Sequence, residues 1–215
     1  MQRPGEFRVS VTKDYLVFAS AHFITFAGHR CEGLHGHNYR ARVTVEDAMQ
    51  PRGEFSVSVT KDYLVFASAH FITFAGHRCE GLHGHNYRVR VTIDGALDPE
   101  SWFVFDFVIL KKIMRRLCDE IDHKVLLPLE NPKIQIAEEG ESVNVAYEGK
   151  PRYVFPRKDC ALLPVPNTTV EMLAELLVKR LRAELETLGA RQMLAIEMEV
   201  EENFGQSAVY RERLQ

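Results

Sequence analysis

The chain has 215 residues, 46% hydrophobic and 27% charged, with a formal net charge of −3. That composition fits a globular protein of one large or two small domains and excludes a nucleic-acid or membrane partner held by bulk charge. Four cysteines are too few for a disulfide framework in a chain of this size, so free thiols and a reducing cytoplasm are expected.

The N-terminal MQRPGEFRV has no apolar run of the kind a secretory signal needs. Residues 5–45 then recur as 53–93 with three differences, Arg8/Ser56, Ala41/Val89 and Val45/Ile93. Solenoid repeats diverge and need at least three units to bury a core, so this is a tandem duplicate and no solenoid. Residues 1–50 therefore form a near-exact copy of a hairpin, and 51–215 form the main domain. Copy two runs on into the rest of the chain, whereas copy one meets only a short linker, so copy two is expected to fill the place in the fold.

Within copy two, EFSVSVT and LVFASAHFI read as strands broken near Lys61–Asp62, and HNYRVRVTI reads as a third. A helix follows at about 107–121, with Phe107, Leu110, Ile113, Met114, Leu117 and Ile121 on one stripe and Asp106 at the N-cap. From 132 to 166 the pattern alternates and turns at Glu139–Gly140 and Gly149–Lys150. That is the signature of an inserted β-ribbon, kept short or at an edge by Pro151 and Pro156. Thr168 and Glu171 stand in capping-box spacing before a second helix at about 169–188, which Gly189 closes. MLAIEMEVEE and a short strand around SAVYRER end the chain. The order strands, helix, ribbon, helix, strands is an α+β layout.

The stretch CEGLHGHNY carries the chemistry. On a strand, residues two apart share a face, so His83 and His85 lie on the apolar side with Tyr87, Val89, Val91 and Ile93. Two inward imidazoles side by side suit a Zn²⁺ site, with His70 at the end of the preceding strand as third ligand and a fourth position open. His77 is a less fixed substitute for His70. A closed structural site that adds Cys79 also fits the spacing, and so do hydrogen-bonded core histidines. Beside a cation, Cys79 gains thiolate character, and Glu80 becomes a second proton-transfer group. Asp122–His123 ends the first helix, where a histidine often does no more than offset the helix dipole. In IEMEVEE the odd-numbered Glu197, Glu199 and Glu201 read as a solvated stripe. Glu202 falls on the apolar parity, where a carboxylate can accept two parallel N–H bonds from a guanidine-like ligand edge.

FASAHF, CEGLHGHNY, the DF of FVFDFVILK, the DH of EIDHKVLL, the TVE of NTTVEMLA and EENFGQSAVY together resemble the 6-pyruvoyl-tetrahydropterin synthase / 6-carboxytetrahydropterin synthase family over about 53–213, the ribbon aside. The resemblance implies a tunnelling fold, an antiparallel sheet with two helices on one face, whose barrel is completed by oligomerisation, usually as a hexamer of two trimers. It implies Zn²⁺ on His70, His83 and His85, Cys79 as catalytic thiol, Asp122 and His123 as proton relay, and Glu202 as pterin anchor. Thr169 matches a substrate-binding position. The implied substrate is 7,8-dihydroneopterin triphosphate. Cys-x₃-His-x-His resembles the 6-carboxytetrahydropterin synthases of the queuosine pathway, and Glu80-x-x-His83 resembles the branch making 6-hydroxymethyl-7,8-dihydropterin for folate. CExxHGH thus resembles the subgroup that carries both. One departure is Leu127, where the family usually has Asn. Copy one repeats the ligand set as His22, His35 and His37 with Cys31, but has no Asp-His pair or inner Glu of its own.

Overall fold

The computed structural model describes residues 8–11, 17–22, 35–40, 43–46, 64–73, 81–95, 104–189 and 193–214. Copy one contributes strands β1 (Arg8–Val11), β2 (Val17–His22), β3 (His35–Arg40) and β4 (Val43–Glu46). Copy two and its continuation contribute β5 (Val65–His70), β6 (His83–Gly95), α1 (Phe107–Asp119), β7 (Val125–Pro128), β8 (Ile134–Glu139), β9 (Ser142–Tyr147), β10 (Lys150–Pro156), β11 (Cys160–Leu163), α2 (Val170–Thr187), β12 (Met193–Asn203) and β13 (Gln206–Arg213). The strand expected at EFSVSVT lies outside the described residues; its copy-one counterpart is β1, paired antiparallel with β4.

The fold class is α+β, as expected. Among the described residues the main sheet has the order β11-β7-β5-β6-β12-β13. Its four strands from β5 to β13 are antiparallel, while β7 runs parallel to β5 and β11 parallel to β7. Both helices pack on one face. Leu110, Met114 and Leu117 of α1 and Leu173, Leu177 and Leu181 of α2 are buried with Phe66, Tyr87, Met198 and Val200 of the sheet. The stripe expected on α1 is buried at every described side chain, Leu110, Ile113, Met114, Leu117 and Ile121. Asp106 caps α1 by accepting from the Val108 N–H at 2.6 Å.

The ribbon is a three-stranded antiparallel sheet, order β10-β9-β8, whose turns use Gly140 (φ +58°) and Gly149 (φ +76°). The two prolines lie on its edge strand β10, where the ladder shifts register between Pro151 and Tyr153. Its extent is narrower than 132–166, because Cys160–Leu163 leaves it and joins the main sheet beside β7. The small sheet covers the face of the main sheet opposite the helices: Val143, Val145 and Phe155 pack with Ala69, Phe71, Val125 and Leu127. Leu127 thus departs from the family pattern where an apolar side chain is needed to meet the insertion.

The capping box is not formed. Thr169 is the N-cap residue of α2 and makes no side-chain cap bond. Thr168 is buried and its hydroxyl donates to the Phe71 carbonyl at 3.3 Å, so a long-range tie to the residue after β5 takes the place of the local cap. Gly189, at φ +69°, follows the helix end as expected. No described helix is long and apolar enough to cross a membrane.

Candidate metal centre

The site lies on the helix-covered face of the sheet, where the ends of three strands meet. Antiparallel pairing sets His70 opposite His83 and Ser68 opposite His85, and β12 lies on the other side of β6. Alternation along β6 turns His83, His85 and Tyr87 to the same side. Val200 of β12 is fully buried on that side, and Glu202 follows it two residues later. The β12–β13 ladder shifts between Glu201 and Asn203, so Glu202 sits at the irregularity. Such bulges re-aim a side chain at a sheet end.

One ligand atom each from His70, His83, His85 and Glu202 lies within 4.8 Å of the others. Glu202 Oε1 is 3.2 Å from His70 Nε2 and 3.3 Å from His85 Nε2. Two ring orientations are set from behind. His70 Nδ1 donates to the Thr168 carbonyl at 2.8 Å, and His83 Nδ1 donates to the Gly81 carbonyl at 3.0 Å. A carbonyl only accepts, so both Nδ1 atoms carry the proton and both Nε2 atoms present lone pairs when the rings are neutral. Burial pushes the His85 imidazole down to about 3 against the pull of Glu202, so this ring is neutral near pH 7. Burial works to raise the Glu202 carboxyl, but the adjoining imidazoles of His70, His85 and His83 outweigh it and hold it below the ordinary carboxylate range.

These residues fit a metal ion. Nitrogen and carboxylate ligand atoms converge in a largely buried space, and one cation among them would satisfy all four. A tetrahedral site with arms of about 2.0–2.1 Å has ligand-to-ligand edges of about 3.3 Å, which the Glu202 contacts already match. The Tyr87 hydroxyl, 3.2 Å from both His70 ring nitrogens, completes the surround. Burial, with Glu202 second, keeps this phenol protonated well above its usual range.

Asp122 and His123 form a separate pair. Asp122 Oδ2 is 2.8 Å from His123 Nδ1, and Asp122 Oδ1 accepts from the Ala67 N–H at 2.9 Å. The His123 N–H donates to the Ala67 carbonyl at 2.7 Å, and the Ser68 hydroxyl donates to the Ile121 carbonyl at 2.5 Å. His123 has φ +56°, a left-handed conformation unusual for a residue with a Cβ. The pair is thus locked to β5, the strand that ends in His70, and it does more than offset a helix dipole.

Cys79, Glu80, His77 and Cys31 lie outside the described residues, as do the side chains of His22, His35 and His37. Thr169 is half-buried beside Thr168. Glu197, Glu199 and Glu201 are engaged at the surface with Arg211, Ser207 and the Gly205 N–H, as a solvated stripe should be. The sequence places Tyr87 on the face of His85 but gives no sign of its contact with His70, and the carbonyls of Thr168 and Gly81 that orient the ligands carry no side-chain signal.

The insertion reaches this site. The Leu82 N–H, one residue before His83, donates to the Tyr153 hydroxyl at 3.1 Å, and the Tyr153 ring packs between Phe71 and Phe155. Tyr153→Phe should therefore lower stability by about 1 kcal/mol and weaken metal binding through the freed approach to His83. Urea midpoints and zinc titration check this; an unchanged midpoint with unchanged affinity would refute it.

Comparison with known proteins agrees with the geometry. A model of the family described as "6-pyruvoyl tetrahydropterin synthase" matches residues 10–62 and 57–213. The chain is 38% identical over 113 residues to a Methanocaldococcus jannaschii protein named "Putative 6-carboxy-5,6,7,8-tetrahydropterin synthase", covering 53% of this chain and 69% of that protein. The structure resembles 6-pyruvoyl tetrahydropterin synthase from Plasmodium falciparum, with a TM-score of 0.65 and 31% identity over 74% of this chain and 97% of that one. It resembles the Plasmodium vivax enzyme with a TM-score of 0.65 and 32% identity over 73% of this chain and 96% of that one. A P. vivax variant in which a catalytic glutamate is replaced by alanine is similar at 31% identity, with a TM-score of 0.65, over 73% of this chain and 96% of that one. With its sheet, its two helices and its histidine cluster in place, the chain belongs to the 6-pyruvoyl tetrahydropterin synthase family.

Proposed function

We propose that this protein is a zinc-dependent pterin synthase that converts 7,8-dihydroneopterin triphosphate to 6-carboxy-5,6,7,8-tetrahydropterin in the cytoplasm, as a hexamer of two trimers. The observation that carries this reading is the convergence of buried His70 and His85 with half-buried His83, two of the three oriented by backbone carbonyls. The M. jannaschii relative's name supports the 6-carboxy product.

His70, His83 and His85 would hold Zn²⁺, which when bound acts as a Lewis acid on substrate side-chain oxygens. The chain's own groups then supply the proton transfers. Cys79, four residues before His83 in the sequence, removes a proton from the substrate side chain as thiolate. His123 passes a proton through Nε2, because Nδ1 is engaged by Asp122 Oδ2. Asp122 cannot rotate freely, since its other oxygen is held by the Ala67 N–H. Glu202 anchors the pterin N–H edge, and Thr169, the N-cap residue of α2, is a further substrate contact. Glu80 is the second base, and it brings 6-hydroxymethyl-7,8-dihydropterin within reach; the catalytic glutamate of the P. vivax enzyme supports that role.

Incubating the zinc-loaded protein with 7,8-dihydroneopterin triphosphate and weighing the pterin product tests this directly. The 6-carboxy product is expected from the wild type. Cys79→Ala should lose it by about 10²–10⁴-fold while retaining zinc, and Glu80→Ala should lose only a hydroxymethyl product. If Cys79→Ala instead sheds zinc and stability, the thiol is a structural ligand and the chain is a zinc scaffold.

A further inference from the structure

The Glu202 carboxylate stands among the imidazoles, 3.2 Å from His70 Nε2 and 3.3 Å from His85 Nε2. We propose that Glu202 is a displaceable fourth ligand: it closes the metal site in the absence of substrate and withdraws when a substrate oxygen takes its position. The inference rests on the zinc-dependent reading of the site.

Three observations carry it. First, Glu202 Oε1 stands 3.2 Å from His70 Nε2 and 3.3 Å from His85 Nε2, the spacing of neighbouring ligands around one tetrahedral ion. Second, the four ligand atoms form one group within 4.8 Å, so no other described residue is needed to fill the sphere. Third, the four ligands are not equally fixed. His70 has no exposed side-chain surface and His85 has 11%, whereas Glu202 has 20% and stands where the β12–β13 ladder shifts, two residues before the turn at Phe204–Gly205. His70 and His83 are each pinned from behind by a carbonyl. A longer side chain at a sheet end, with more surface in solvent, is the ligand that can leave at least cost. Ligation by Glu202 would also keep water from the fourth position between turnovers, and its release would leave a carboxylate facing the incoming ligand.

The test uses the full chain loaded with Zn²⁺ or Co²⁺. Glu202→Gln should weaken zinc binding by about 10–100-fold in chelator competition and should alter the visible absorption of the cobalt form. Adding neopterin, an unreactive pterin with a hydroxylated side chain, should shift the wild-type cobalt spectrum toward that of the variant. Wild-type zinc affinity in folded Glu202→Gln, even with turnover lost, would overturn the proposal and leave the synthase reading standing. A cobalt spectrum that does not respond to bound neopterin would overturn displacement without relying on the variant's folding. Weakened zinc in Glu202→Gln beside a wild type that makes no pterin product would keep the ligand role and sink the synthase reading instead.

Discussion

His70→Ala is expected to empty the metal site of copy two and to reduce pterin turnover on the order of 10³-fold or more. Several kcal/mol of transition-state stabilisation is lost with the ion, and each 1.4 kcal/mol or so is tenfold in rate. His22→Ala, the same change in copy one, should leave both intact. The two copies share nearly every residue, and their hairpins share a register: His22 pairs with His35 as His70 pairs with His83. Their surroundings differ. β5 and β6 are continued by β7 on one side and β12 on the other, which bring Asp122–His123 and Glu202 to the hairpin. Among the described residues β2 and β3 form a sheet of two strands, with no third strand paired to either. We therefore propose that one copy per chain is catalytic and that it is copy two. His70 is buried and tied to Thr168, so His83→Gln serves as a gentler companion variant. Metal content and product formation, measured on the same samples, decide the matter. Two zincs per chain with full turnover in His70→Ala would show that copy one can replace copy two.

Much of this site was legible in the sequence because strand parity is a local rule. His83, His85 and Tyr87 read as inward-facing from spacing alone, and Glu202 could be singled out as the glutamate on the apolar side of its strand. The meeting of Glu202 with His70 and His85 was not legible, because it depends on β12 pairing with β6 and on a register shift at one residue. Long-range contacts also overrode local signals at Thr168. Its spacing to Glu171 is that of a capping box, yet its hydroxyl goes to Phe71 and its carbonyl to His70. The four residues Cys160–Leu163 continued the alternation of the ribbon, and nothing in so short a run announces that it leaves to lie parallel to β7. Leu127 looked like a departure from the family pattern until the insertion sheet supplied its apolar partners.

Asp122→Asn is expected to lower kcat by about 10²–10⁴-fold with little change in zinc content. The carboxylate has two bonds with different tasks: Oδ1 accepts from Ala67 and fixes the side chain to β5, and Oδ2 holds Nδ1 of His123. An amide of the same shape can keep only one of these acceptor contacts, since its nitrogen is a donor. If the amide oxygen stays with Ala67, the NH₂ group faces Nδ1, and the imidazole must move its proton to Nε2, the atom proposed to act on substrate. A general acid–base group in the wrong tautomer loses its function while the fold survives. The backbone gives a second, independent test. His123 holds φ +56°, a conformation that costs a non-glycine residue on the order of 1–3 kcal/mol and that Asn tolerates better. His123→Asn should therefore unfold at an equal or higher denaturant midpoint than the wild type while losing turnover. That divergence of stability from activity is what a strained residue kept for catalysis would give; if both fall together, His123 is held there by packing and the relay must lie elsewhere.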